Sequence, residues 1–248
     1  MNKMTNEFEN NFAREYLTTS TIEIEGLKSI NDKLSVVKSA DTNDVRLYIE
    51  SYKLFGFIEE EAIKFQFSQS VSRIVYRRIG KIIHELVYEA FKFSNKYDCR
   101  KNSKFEDLLT DDNMSDDVKA YSAKEAGDVI LFDKKYSYEI KWSFATTAGN
   151  ELKMILSKPS ICNSIKYKPV LLIFSEPVPK QAKKSYKRLK NEFGKYGSVY
   201  EKSEAWKHIE EMTGIDLRGI FENHLRSVVK NEHVKMLLKE IHEKTKIS

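Results

Sequence analysis

Cysteine is nearly absent from the 248-residue chain: Cys99 and Cys162 are the two it has. They cannot make a zinc cluster by themselves or a disulfide scaffold, so both are expected to stay reduced. Proline and glycine are scarce too, at 4 and 9 residues, which argues against an all-β sandwich with its many tight turns. No long apolar run exists. The longest, Pro-Val-Leu-Leu-Ile-Phe at 169–174, is far too short to span a bilayer. The amino terminus lacks the apolar stretch of a signal peptide, so the expected location is cytoplasmic. Charge of one sign is also lacking, since 42 basic residues stand against 37 acidic ones, a net of +5. That balance permits nucleic-acid binding without requiring it. What is present is a 41% hydrophobic and 12% aromatic share, enough for a real core.

Periodicity orders the chain. Short helices are expected at 6–16, after Thr5 as a cap, and at 43–57. A longer helix over 70–93 carries Val71, Ile74, Val75, Ile79, Ile82, Ile83, Leu86, Val87, Ala90 and Phe91 at helical spacing. Residues 94–120 read as a polar, acidic loop with a short helix. Residues 127–144 read as a β-hairpin turning at Asp133-Lys134-Lys135. A short helix is expected to start near Asn150. Residues 169–175 form an apolar, doubly buried strand, followed by a basic helix at 180–193, a short strand at 198–200, and helices over 203–244 with a break near Gly214. The expected fold class is α/β: a core of about four mixed strands flanked by helices, with helical elaborations at both ends. The division expected is 1–60, 61–202 as the core, and 203–248, or all one compact domain.

The hairpin carries the chemistry. Asp128 follows Gly127 at the start of one arm, and Glu139 and Lys141 lie on the other, separated by Ile140. Side chains alternate across a strand, so Glu139 and Lys141 share a face while Tyr138, Ile140 and Trp142 point the other way. Folding the hairpin brings Asp128 towards Glu139. Two carboxylates with a nearby carbonyl suit Mg²⁺, and a lysine beside them can orient water and offset phosphate charge. The bland alternative is a solvated Glu–Lys pair worth under ~1 kcal/mol.

The run Gly127-Asp128-Val129-Ile130-Leu131-Phe132, a turn, and Tyr138-Glu139-Ile140-Lys141 resembles the PD-(D/E)xK nuclease superfamily. Ala126-Gly127 stands where some members have proline. The resemblance implies metal binding by Asp128 and Glu139, with the Ile140 carbonyl as a third ligand, and a catalytic role for Lys141. Glu85, on the preceding helix, sits where many members place an extra acid that helps bind a metal or water, and is a further catalytic candidate. His84-Glu85 followed by Glu89 lacks the second histidine of a metalloprotease helix, so that reading is excluded. The other rival triplet, Glu151-Leu152-Lys153, is expected on a helix.

Phosphate-contacting candidates are Arg73, Arg77, Arg78 and Lys81, and, on the basic helix, Lys183, Lys184 and Lys187. Residues 180–195 hold seven basic residues and one acid, Glu192. Thr146, Thr147, Asn150 and Lys153 leave the catalytic strand directly and are candidate DNA contacts. The size of the chain and its helical additions look most like a type II restriction endonuclease. That resemblance implies Mg²⁺ as cofactor, double-stranded DNA as substrate, a homodimer, and a cognate DNA methyltransferase as a separate protein. The alternatives are another nuclease of the same core (a junction resolvase, a repair enzyme or a transposon end-cleaving enzyme) or a DNA-binding protein without catalysis.

Overall fold

The computed structural model describes residues 2–18, 79–109, 116–142, 150–175 and 182–230. Its centre is a five-stranded mixed sheet: β1 Cys99–Lys101, β2 Val129–Leu131, β3 Tyr136–Lys141, β4 Lys168–Ile173 and β5 Ser198–Glu201, side by side in that order. The first two pairings are antiparallel and the last two parallel. The described residues also form seven α-helices: α1 from Lys3–Phe8 through a π-helical turn at Glu9–Ala13 to residue 18, α2 over 79–94, α3 Asp116–Tyr121, α4 Asn150–Ser164, α5 Ala182–Tyr196, α6 Ser203–Thr213 and α7 Leu217–Lys230.

Each element follows from its side chains. Between the arms of the expected hairpin, four residues make the turn, and Lys135 takes the left-handed conformation at φ 54°. The four central positions of β3 and the last five of β4 are buried, as strands covered on both faces require. The helix α4 forms the parallel crossover between them. It starts at the expected place but runs 15 residues, longer than expected, even though Pro159 removes one of its backbone hydrogen bonds.

Two apolar clusters hold α4 and α5 to one face of the sheet. Ile161 and Cys162 pack with Phe105, Ala126, Ile130 and Tyr167, while Ile155 packs with Leu171, Ile173, Leu189 and Phe193. On the other face Tyr138 meets Phe91 of α2, with ring centroids 5.1 Å apart, and His208 of α6. At the end of α6, Gly214 at φ 80° makes the left-handed cap that places the break in the C-terminal helices.

Two details differ from the sequence reading. The sheet has five strands rather than about four, because β1 lies inside the stretch read as a loop and pairs along β2. Asn2, not Thr5, caps α1: its side chain accepts from the Thr5 N–H, while the buried Thr5 hydroxyl accepts from the Asp216 N–H. The expected helix at 43–57 and the first part of that at 70–93 lie outside the described residues.

The chain divides into two compact units. One comprises Met1–Asn11 and Gly80–Ile220 and contains the whole sheet; the other comprises Phe12–Ile79 and Phe221–Ser248. In the described part of the second, Phe12 and Tyr16 stack with centroids 5.3 Å apart. Among the described residues no helix is long and apolar enough to cross a membrane.

Candidate active site

The site begins with a glycine. A Cβ on Gly127 would come within 2.6 Å of the Ser137 Oγ and 2.9 Å of the Tyr138 carbonyl oxygen, so the chain can hug β3 here only without a side chain. The close approach leaves no room for the Cβ of a proline or of any other residue. It sets up the next contact: the Asp128 N–H donates to the Tyr138 carbonyl at 2.8 Å.

Just beyond that bond β2 has not yet begun, and the Asp128 side chain takes over as partner of β3. Its Oδ2 accepts from the Ile140 N–H at 2.5 Å. In a strand the N–H and C=O of one residue point to the same side, so the Ile140 carbonyl is also directed to the Asp128 side. The alternation expected for β3 is present. Ile140 and Tyr138 are fully buried in the core, and Glu139 and Lys141 share the opposite face.

Glu139 is buried, its side chain 3% exposed, and each of its oxygens meets a lysine. Lys141 Nζ lies 2.8 Å from Oε1, and Lys158 Nζ, from α4, lies 2.7 Å from Oε2. Burial by itself would raise the Glu139 pKa, but the two ammonium groups outweigh it and hold the carboxyl at about 2. Lys158 has the mirror-image balance. Desolvation favours its neutral form, yet Glu139 and Asp128 overcome that and raise its pKa. Asp128 shifts the other way from Glu139. Burial and then the neighbouring Glu139 charge raise its pKa, with His84, Lys141 and Lys158 partly offsetting them.

Two further groups face this cluster. His84 Nδ1 on α2 lies 3.5 Å from Asp128 Oδ1. The Glu125 pKa is raised by burial and by the Asp128 and Glu139 charges, with Lys158 and Lys141 opposing. His84, Lys158 and Glu125 were not among the sequence candidates. A signal for Lys158 existed: with Ile155 and Cys162 it falls on the apolar stripe of α4, where a lysine needs a carboxylate.

Glu85 pairs with Lys101 of β1, at 3.0 and 3.1 Å. Lys81 and Lys153 are exposed, Asn150 opens α4, and Lys183 lies in the first turn of α5. Lys184 and Lys187 are exposed on α5, whose opposite side packs Leu189 and Phe193 on the sheet. Arg73, Arg77, Arg78, Thr146 and Thr147 lie outside the described residues.

Among the described residues no three His, Cys, Asp or Glu side chains form a metal cluster. Two carboxylates and a carbonyl are a donor set of a different kind, all oxygen and short of full coordination. That suits Mg²⁺, which keeps several of its own waters, and does not suit zinc.

Comparison with known proteins adds the decisive observation. The family model described as ApaLI-like restriction endonuclease matches residues 2–226, nearly the whole chain. The chain belongs to this family. No curated protein and no solved structure matches it. Membership in the ApaLI-like restriction endonuclease family makes the general activity that of an endodeoxyribonuclease acting on double-stranded DNA. The match takes in both hairpin arms, α2 and α4, and so every residue of the cluster around Glu139.

Proposed function

We propose that this member of the ApaLI-like family is a Mg²⁺-dependent type II restriction endonuclease that cuts double-stranded DNA at a specific short sequence. Its centre is built on the PD-(D/E)xK pattern. The observation that carries this reading is the docking of the Asp128 carboxylate on the Ile140 N–H, beside Glu139 and Lys141 on one strand face. A solvated Glu–Lys pair would not be 3% exposed at the acid, nor would it be ringed by a second carboxylate and a second lysine.

In this reading Asp128, Glu139 and the Ile140 carbonyl hold the cation. When bound, Mg²⁺ supplies Lewis acidity towards the scissile phosphate and lowers the pKa of a water. The β3–β2 pairing fixes Asp128 by its backbone and side chain together, so the acids are positioned before DNA arrives. Lys141, less buried than Lys158, is the cation that moves to the phosphate, where it orients water and offsets the charge that develops. The exposed lysines of α5 are suited to contact the DNA backbone. A homodimer would match a palindromic site by symmetry, and a separate methyltransferase would protect host DNA.

The test is a digest of mapped plasmid DNA with and without Mg²⁺. Discrete fragments that appear only with Mg²⁺ are expected. Plasmid left intact at every Mg²⁺ concentration would overturn the reading, and a continuous smear would replace site-specific cleavage with a non-specific nuclease.

A further inference from the structure

Glu139 has two lysines where one would neutralise it, and the two differ in their freedom. Lys141 is on the same strand, two residues away, with a side chain 22% exposed. Lys158 comes from the helix that crosses from β3 to β4, with a side chain 5% exposed. It sits between Ile155 and Cys162 on the stripe that α4 packs against the sheet. A lysine that deep loses its water and is retained there only by paired charge. Each lysine occupies a different oxygen of the carboxylate, Oε1 for Lys141 and Oε2 for Lys158.

We infer that Lys158 is a positioning residue that holds Glu139 in place through Oε2 and so releases Lys141 for the scissile phosphate. The inference rests on the proposed nuclease reading and adds a division of labour to it. With Lys158 in place, departure of Lys141 leaves Glu139 still paired and still aimed. Without Lys158, Lys141 is the remaining cationic partner on Glu139 and is retained there. Lys158 has a second effect of opposite sign. Its charge, one hydrogen bond from a metal-binding acid, repels a divalent cation. Its removal therefore tightens metal binding while slowing the reaction. Loss of packing or of fold would not produce that combination, because a disordered site binds metal less well.

The experiment uses the full chain in three forms, wild type, Lys158→Met and Lys158→Arg. Mn²⁺ is titrated into each without DNA and followed by electron paramagnetic resonance, and single-turnover cleavage of plasmid DNA is measured separately. Lys158→Met is expected to bind Mn²⁺ at least about threefold more tightly. Its cleavage is expected to be at least about tenfold slower. Lys158→Arg keeps the charge and is expected to bind Mn²⁺ within about twofold of wild type, with much of the rate recovered. Unchanged or weaker Mn²⁺ binding by a folded Lys158→Met variant, or a wild-type rate, would overturn the inference. If Lys158→Met fails to fold by circular dichroism, Lys158→Arg decides. Wild-type Mn²⁺ affinity with recovered cleavage supports the inference, and an arginine variant with weakened Mn²⁺ binding rejects it. Wild-type protein that leaves plasmid intact would refute the nuclease reading itself, whereas failure of the lysine variants alone would refute only the role of Lys158.

Discussion

At the scale of single residues, the two lysines on Glu139 separate from the other described lysines by their pairing to one buried carboxylate. Lys153 belongs to the rival Glu-x-Lys triplet, but it is exposed on α4, whereas Lys141 lies 2.8 Å from Glu139. Lys141→Ala leaves both acids in place, so DNA binding supported by metal is expected near normal. Cleavage is expected to slow by about 10²–10³, the usual loss for one electrostatic donor. Lys153→Ala is expected to leave the chemical step nearly unchanged. Single-turnover rates for the two variants check this, and the reverse ranking would place the catalytic strand elsewhere. The trio of Asp128, Glu139 and Lys141 was legible because alternation along a strand is a local rule. Lys158 showed only as a lysine on an apolar helical stripe and His84 not at all, since the partner of each comes from another element: Glu139 for one, Asp128 for the other.

Among the elements, legibility followed length and pattern. The described part of the helix expected at 70–93, α2, and the strand β4 have many apolar residues in strict order, and both lie where expected. The strand β1 is three residues, Cys-Arg-Lys, with no alternation to read; it is a strand because the β2 edge offers it partners. The face of β3 opposite Glu139 shows a different consequence of packing. Tyr138 hydroxyl and His208 Nε2 are 3.1 Å apart, and the His208 ring stacks on Tyr200 at 4.0 Å. Burial there lowers the His208 pKa to about 4, below its ordinary value of 6.5. The unfolded chain thus takes up a proton on His208 at a higher pH than the folded one. The stabilisation is complete above pH 6.5 and is lost as pH falls towards about 4. With His208 partly exposed, the effect is discounted to roughly 1–2 kcal/mol. Urea denaturation at pH 7.5 and pH 5 is expected to show a smaller loss of stability in His208→Gln than in wild type. Equal losses in both would remove His208 as the source.

For the whole molecule, the sheet order puts the parallel strands β3, β4 and β5 on one side, ending on the half-buried edge strand β5, and the short antiparallel β1 and β2 on the other, with the acids where β2 meets β3. Basic residues follow the same logic of leftover surface. On α5, Lys190 pairs with Glu201 and Lys195 with Glu192, while Lys184, Lys187 and Arg188 are exposed. Composition could not reveal this arrangement, because a net charge of +5 says nothing about which face carries it. The family match over residues 2–226 supplies the activity in general terms, and the proposed chemistry rests on the cluster around Glu139. Asp128 gives the most direct test of that chemistry. In Asp128→Asn the amide oxygen can still accept from the Ile140 N–H, so the fold and the strand junction are retained while one anionic charge is lost. Single-turnover cleavage of plasmid DNA at saturating Mg²⁺ is expected to fall by about 10³ or more. Duplex binding by gel shift is expected to persist, since one carboxylate fewer repels the phosphates. Cleavage at the wild-type rate by folded Asp128→Asn protein would contradict the assignment of this site.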